Sequence, residues 1–156
     1  MRIIGVLGAI RPVPHTRILA LDLGKRRIGL AISDELGLTA QGLHTLERKN
    51  LRTDVAILDR LMEEKSVGSV LMGNPLHMRS GDESRQAGWV REFGEALESR
   101  TGRPIRYWDE RLTTVEASRV LRASGISIEK RARAVDQLSA VILLQSYLDY
   151  LGEGNL

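Results

Sequence analysis

Residues 17–33, RILALDLGKRRIGLAIS, restrict the fold more than any other stretch of the chain. Arg17 to Asp22 is apolar on both faces, the composition of a central strand covered by helices on each side. Gly24 to Arg27 make a short polar turn, and Ile28 to Ser33 read as a second strand. A parallel return needs a crossover of about a dozen residues, so a connection this short means an antiparallel hairpin. A third strand within Leu38 to Leu46, after the turn at Gly37, extends the hairpin to a meander.

Beyond the meander the hydrophobic period changes. Val55, Leu58 and Met62, with Ile57 and Leu61 alongside, predict an amphipathic helix over 52–65. Ser69 to Met72 reads as a short buried strand ending at Gly73-Asn74-Pro75. Val90, Phe93 and Leu97 mark a second helix, closed by Gly102 after Arg100. Ile105 to Trp108 is the fifth strand. Thr113-x-x-Glu116 fits a capping box that opens a further helix ending at Gly125. The last helix is expected from Ala134 to Leu151, with Val141, Leu144, Leu148 and Leu151 on one stripe. A meander followed by strands alternating with helices predicts an α/β fold of ribonuclease-H-like order: a mixed five-stranded β-sheet flanked by α-helices.

The chain has 156 residues, room for one domain. Its 42% hydrophobic and 28% charged residues are those of a globular protein. The absence of cysteine excludes disulfides, thiolate zinc sites and cysteine nucleophiles. Net charge is +3, so the distribution of basic residues matters more than their surplus. With 4% aromatic residues, a binder of single strands built on stacked rings is disfavoured. Residues 1–16 read as an N-terminal extension, set off by Pro12 and Pro14, whose lone Arg2 and missing A-x-A pattern do not make a signal peptide. Residues 17–151 form the expected domain and 152–156 a tail. No apolar stretch reaches the length of a membrane span, and a cytoplasmic protein is expected.

Three acids stand where chemistry could occur. Asp22 ends an apolar strand, at the sheet edge where ligands approach an α/β sheet, although Asp also simply starts turns. Glu110 follows the strand IRYW in the same way, although an acid before a helix also complements its dipole. Asp109 is the alternative there, but it alternates to the other side of the strand. Asp136 is expected to open the last helix, heading the stripe of Ala140, Leu143 and Tyr147, where a charge is costly unless paired or bound to metal. Converging carboxylates repel unless a cation neutralises them, and oxygen-only ligation suits Mg²⁺ or Mn²⁺. His15, His44 and His77 are scattered and read as structural or solvent-facing.

Basic residues recur beside each acid: Lys25, Arg26 and Arg27 after Asp22; Arg103 and Arg106 before Glu110 and Arg111 after it; Lys130, Arg131 and Arg133 before Asp136. One such run is ordinarily a solvated face. Recurrence at all three acids suits phosphodiester chemistry, in which cations grip phosphate while a metal activates water.

Four motifs in order, Asp22-Leu-Gly-Lys-Arg-Arg-Ile-Gly-Leu-Ala, Gly73-Asn-Pro-Leu, Asp109-Glu-Arg-Leu-Thr-Thr and Asp136-Gln-Leu-Ser-Ala, resemble those of the YqgF (RuvX-like) family. The resemblance covers about 17–151. It implies a ribonuclease-H-like nuclease that matures the 5′ end of pre-16S ribosomal RNA during ribosome biogenesis, or a Holliday junction resolvase acting on branched DNA. It also implies that Asp22, Glu110 and Asp136 are the catalytic, metal-binding triad. Phosphate contact is implied for Lys25 and Arg27 in the first motif and for Arg111 and Thr113 in the third. Gly-Asn-Pro replaces the usual Gly-Leu-Pro, which adds Asn74 as a polar contact; Lys130 and Arg131 complete the expected nucleic-acid surface. Ser139 and Ala140 are the small residues of the last motif. A non-catalytic RNA- or ribosome-binding module remains the alternative from another class, and ribosomal particles are the partners it would take. A sugar-kinase-type phosphotransferase duplicates this fold, and 156 residues hold one copy. Monomer and dimer fit equally.

Overall fold

The computed structural model describes residues 17–74, 81–109, 125 and 127–153, and their side chains except at 74, 81–84, 128–133, 135, 136 and 153. The apolar stretch that opens the domain forms strand β1 (Arg17–Leu23), and the turn at Gly24 returns it as β2 (Arg27–Ser33), antiparallel, with Ala20 opposite Ala31 and Asp22 opposite Gly29. The Gly24 amide donates to the Arg27 carbonyl at 2.9 Å, and a Cβ on Gly24 would lie 2.7 Å from that same carbonyl oxygen, so only glycine closes this turn without displacement.

The expected third strand forms in two pieces, β3 (Ala40–Gly42) and β4 (Leu46–Glu47), both antiparallel to β2. Between them the Leu43 amide still bonds the Leu30 carbonyl at 2.9 Å, while the Leu43 carbonyl turns away to accept from Gln137 at 2.8 Å. That diversion breaks the ladder and gives six strands where five were expected. Helix α1 (Leu51–Glu64) is capped by the Asn50 side chain, which accepts from the Thr53 amide at 2.9 Å. Strand β5 (Val67–Asn74) runs parallel to β1, and helix α2 (Gly81–Thr101) ends where Gly102, at φ +71°, donates to the Glu98 carbonyl. Strand β6 (Ile105–Asp109) adds parallel to β5, and helix α3 (Ile128–Glu153) closes the fold. The sheet order is β3-β2-β1-β5-β6, with β4 beside β2.

β1 is covered on both faces. Leu19, Leu21 and Leu23 pack with Val55, Leu58 and Met62 of α1 and Val90, Phe93 and Leu97 of α2. Ala20 packs on the other face with Ala31, Leu71 and the α3 residues Ala140, Leu143, Leu144 and Tyr147. Small residues on the strands beneath α3 let the helix approach closely. Among the described residues no helix is long and apolar enough to cross a membrane. The extension 1–16, the capping box at Thr113 and the tail 154–156 lie outside the described residues.

Candidate active site

Side chains alternate along a strand, so Asp22, two residues beyond Ala20, belongs to the α3 face of β1. It is half-buried near the strand's C-terminal end. β5 and β6 run in the same direction, Asn74 pairs with Asp109 at their C-terminal ends, and Glu110 is the next residue in the chain. One edge of the sheet therefore collects Asp22, Asn74 and the entry to Glu110. β5 lies between β1 and β6, so Asp22 is two strand spacings, roughly 9–10 Å, from the line of β6.

The course of α3 brings the third acid to that edge. Gln137 donates to the Leu43 carbonyl just beyond β3, whereas Gln145 accepts from the Ala40 amide at 3.0 Å and donates to the Leu38 carbonyl at 3.1 Å. Gly42 faces Ala31, and Ala31 faces Ala20; Ala40 faces Ser33, toward the start of β1. Helix α3 thus runs antiparallel to β1, its earlier residues over the end that carries Asp22. Asp136 precedes Gln137 and lies one turn before Ala140, on the stripe that Ala140, Leu143 and Tyr147 bury. The helix begins at Ile128 rather than near Ala134, so Asp136 is more than two turns inside it and does not cap its N-terminus. Lys130, Arg131 and Arg133 belong to the same early turns of α3. Ser139, 1% exposed and one turn from Asp136, has a hydroxyl without a partner among the described residues.

The hairpin turn presents cations beside this edge. Lys25 and Arg26 are exposed, and Arg27 begins β2 partly buried. Arg103 and Arg106 do not join them. Arg103 is 8% exposed at the opposite end of β6, where its Nε donates to the Val67 carbonyl and its terminal nitrogen to Glu63, both at 2.6 Å. Arg106 lies over the Tyr147 ring, 6.0 Å from its centroid. Their nearness to Glu110 in sequence misleads, because a strand carries them away from it. His44 is exposed in the loop between β3 and β4. Glu110, Arg111, Thr113, His15 and His77 lie outside the described residues. Among the described residues no three His, Asp or Glu side chains group closely enough to hold a metal ion; the side chains of Glu110 and Asp136 are not in that set.

Sequence reasoning passed over Arg48 and Asp54. Arg48 sits in a polar run, Glu47-Arg48-Lys49-Asn50, that looks like a solvated loop, and its partner Gly24 is 24 residues away. No local pattern reports such a contact.

The family described as RuvX: Holliday junction resolvase matches residues 16–150. Relatives named "Putative pre-16S rRNA nuclease" include one from Koribacter versatilis, 54% identical over 88% of this chain and 90% of its own length. Another, from Moorella thermoacetica, is 44% identical over 90% of this chain and 99% of its own. Among solved structures, Thermus thermophilus RuvC in complex with a Holliday junction substrate aligns with a TM-score of 0.54 and 15% identity, over 88% of this chain and 97% of that one. The fowlpox virus resolvase, solved with Holliday junction DNA, aligns with a TM-score of 0.51 and 12% identity, over 86% and 98%. These two likenesses are of fold, and they match the ribonuclease-H-like mixed sheet. With its profile matched almost from end to end and relatives near half identity, the chain belongs to the RuvX family.

Proposed function

We propose that this protein is a metal-dependent nuclease that processes the 5′ end of pre-16S ribosomal RNA, with Asp22, Glu110 and Asp136 as its catalytic and metal-binding residues. The observation that carries the reading is the antiparallel course of α3 over β1, which puts the backbone of Asp136 above the strand end bearing Asp22. β6 delivers the chain to Glu110 at the same edge. Asp136 stands more than two turns inside α3 and so does not serve as the helix cap that an acid at a helix start often is.

The donor set fits a hard cation. It offers carboxylate oxygens without a cysteine, and the Ser139 hydroxyl, which has no partner among the described residues, is a further oxygen three residues along α3 from Asp136. Bound Mg²⁺ or Mn²⁺ would supply an activated water and charge stabilisation for in-line displacement at phosphorus. The protein's own part is to hold the carboxylates on a rigid strand and a long helix. Lys25 and Arg27, with Asn74, Arg111, Thr113, Lys130 and Arg131, would bind the phosphate backbone and orient the scissile bond. The chain would work in the cytoplasm on ribosomal precursor particles.

A second reading, resolution of branched DNA, is favoured by the description of the family itself. Cleavage assays with Mg²⁺ or Mn²⁺, on a 16S precursor 5′ fragment and on a four-way DNA junction, separate the two. Cutting of the RNA that Asp22→Asn abolishes supports ribosomal RNA maturation. Cutting of the junction alone moves the substrate to DNA. Salt-sensitive binding of either without cleavage would overturn the enzyme in favour of a binding module.

A further inference from the structure

Arg48 braces the turn that follows Asp22 from the side away from solvent. Its backbone amide donates to the Arg26 carbonyl at 2.8 Å, and its guanidinium donates to the Gly24 carbonyl at 3.2 Å. Two carbonyls of the segment Gly24-Lys25-Arg26 are therefore held by one residue. The guanidinium is itself fixed. Its Nε bonds Asp54 at 3.3 Å, and its central carbon lies 4.8 Å from the centroid of a Trp89 ring and 5.4 Å from that of Phe93. Asp54 is fully buried in the first turn of α1, and its other oxygen accepts the Lys49 amide at 3.0 Å.

An ion pair of a partly buried Arg48 with a fully buried Asp54, set against two aromatic rings, is more than the closing of a hairpin requires; the Gly24–Arg27 bond already does that. The pair joins α1 and α2 to the one turn that separates Asp22 from the exposed cations Lys25 and Arg26. We infer that Arg48, oriented by Asp54, is a positioning residue: it fixes the Asp22 turn so that the metal-binding carboxylate and the phosphate-binding Lys25 keep one mutual geometry. The inference rests on the nuclease reading above. Arg and Lys are not equivalent here, because only the guanidinium fork reaches the Gly24 carbonyl and the Asp54 carboxylate together while stacking on a ring.

The test measures Mn²⁺ affinity by calorimetry on the full chain, beside steady-state cleavage and Tm. Wild type and Asp22→Asn are compared first. If Asp22→Asn binds Mn²⁺ as wild type does, the metal reading itself fails. If that reading holds, Arg48→Lys and Arg48→Met are expected to weaken Mn²⁺ binding by about 10–100-fold, the range found when partners of metal ligands are removed. kcat should fall with little change in KM. Arg103→Lys is the control: it loosens a buried guanidinium of similar connectivity at the far end of the sheet and should lower Tm while leaving Mn²⁺ affinity unchanged. Folded Arg48→Lys that binds Mn²⁺ as tightly as wild type would overturn the inference, and so would an equal loss of affinity in Arg103→Lys. Should Arg48→Met fail to fold, Arg48→Lys alone decides.

Discussion

Asp22 on β1 stands directly opposite Gly29 on β2 in the antiparallel ladder. Opposite residues share a face, with Cβ positions about 4.5–5.5 Å apart, so the position on β2 directly opposite this carboxylate carries no side chain, and its neighbours on that face are Arg27 and Ala31. A glycine in the interior of a buried strand contributes nothing to packing and weakens the strand. Its use here is the space it leaves.

Gly29→Val should fill that space. Valine suits a strand but must share this face with α3, so Tm is expected to fall, and in the folded variant its methyl groups would crowd the position that the proposed phosphate or metal takes beside Asp22. Displacements of about 1 Å at a reacting centre cost on the order of 100-fold, and cleavage should fall by at least that much. A folded Gly29→Val protein with wild-type cleavage would show that the cleft lies elsewhere.

The hairpin and the alternation of elements were legible in the sequence because each rests on local pattern. An apolar run ending in Asp-Leu-Gly and closed by a glycine turn admits few folds. The split of the third strand was not legible, because it depends on Gln137 taking the Leu43 carbonyl across 94 residues. The start of α3 was misjudged for a related reason: 128–133 is highly charged and lacks an apolar stripe, yet the helix continues through it. Arg103 stands close to Glu110 in sequence, which suggests a phosphate contact, whereas the full length of β6 lies between Arg103 and the strand end at Asp109.

Arg103 anchors the start of β5. Its Nε is the donor to the Val67 carbonyl at the start of β5, while its partner Glu63 is largely exposed and the ion pair correspondingly screened. The cost of Arg103→Met therefore lies mainly in a buried carbonyl left without its donor, about 1–3 kcal/mol. In a chain of this size that lowers Tm by roughly 2–12 °C. Cleavage by the folded protein at 25 °C should not change. A fall in kcat without a fall in Tm would return Arg103 to the substrate.

Asp34 makes the β2–β3 loop sensitive to acid. The Thr39 amide lowers its pKa below the ordinary 3.8, with partial desolvation opposing and the Leu38 amide adding to the shift. The amides lie 3.0 and 2.7 Å from the same carboxylate oxygen. A carboxylate with a depressed folded-state pKa contributes stability that is fully present above 3.8 and is lost as pH falls through the lower, folded value. Asp34→Asn keeps the shape and removes the charge. The Tm difference between wild type and Asp34→Asn should be constant near neutrality and close below pH 3.8. Curves that stay parallel into acid would mean that the charge of Asp34 does not hold the loop.

Gly42 and Gln137 set the position of α3, and their coupling is measurable. A Cβ on Gly42 would come within 2.8 Å of the Gln137 amide nitrogen and 3.0 Å of its Cγ, so Gly42→Ala must push that side chain off the Leu43 carbonyl. Gln137→Ala removes the same hydrogen bond directly, at a cost of about 1 kcal/mol. Once Gln137 is gone, the added methyl has nothing to displace. The double variant should therefore be no less stable than Gln137→Ala alone, giving a coupling energy of about 0.5–1 kcal/mol in a double-mutant cycle by denaturant unfolding. Because Asp136 is the preceding residue, Gln137→Ala should also weaken Mn²⁺ binding severalfold, by loosening the helix turn that carries the acid. Strict additivity with unchanged Mn²⁺ affinity would mean that the broken third strand, and the contact made at its gap, plays no part in holding Asp136 over Asp22.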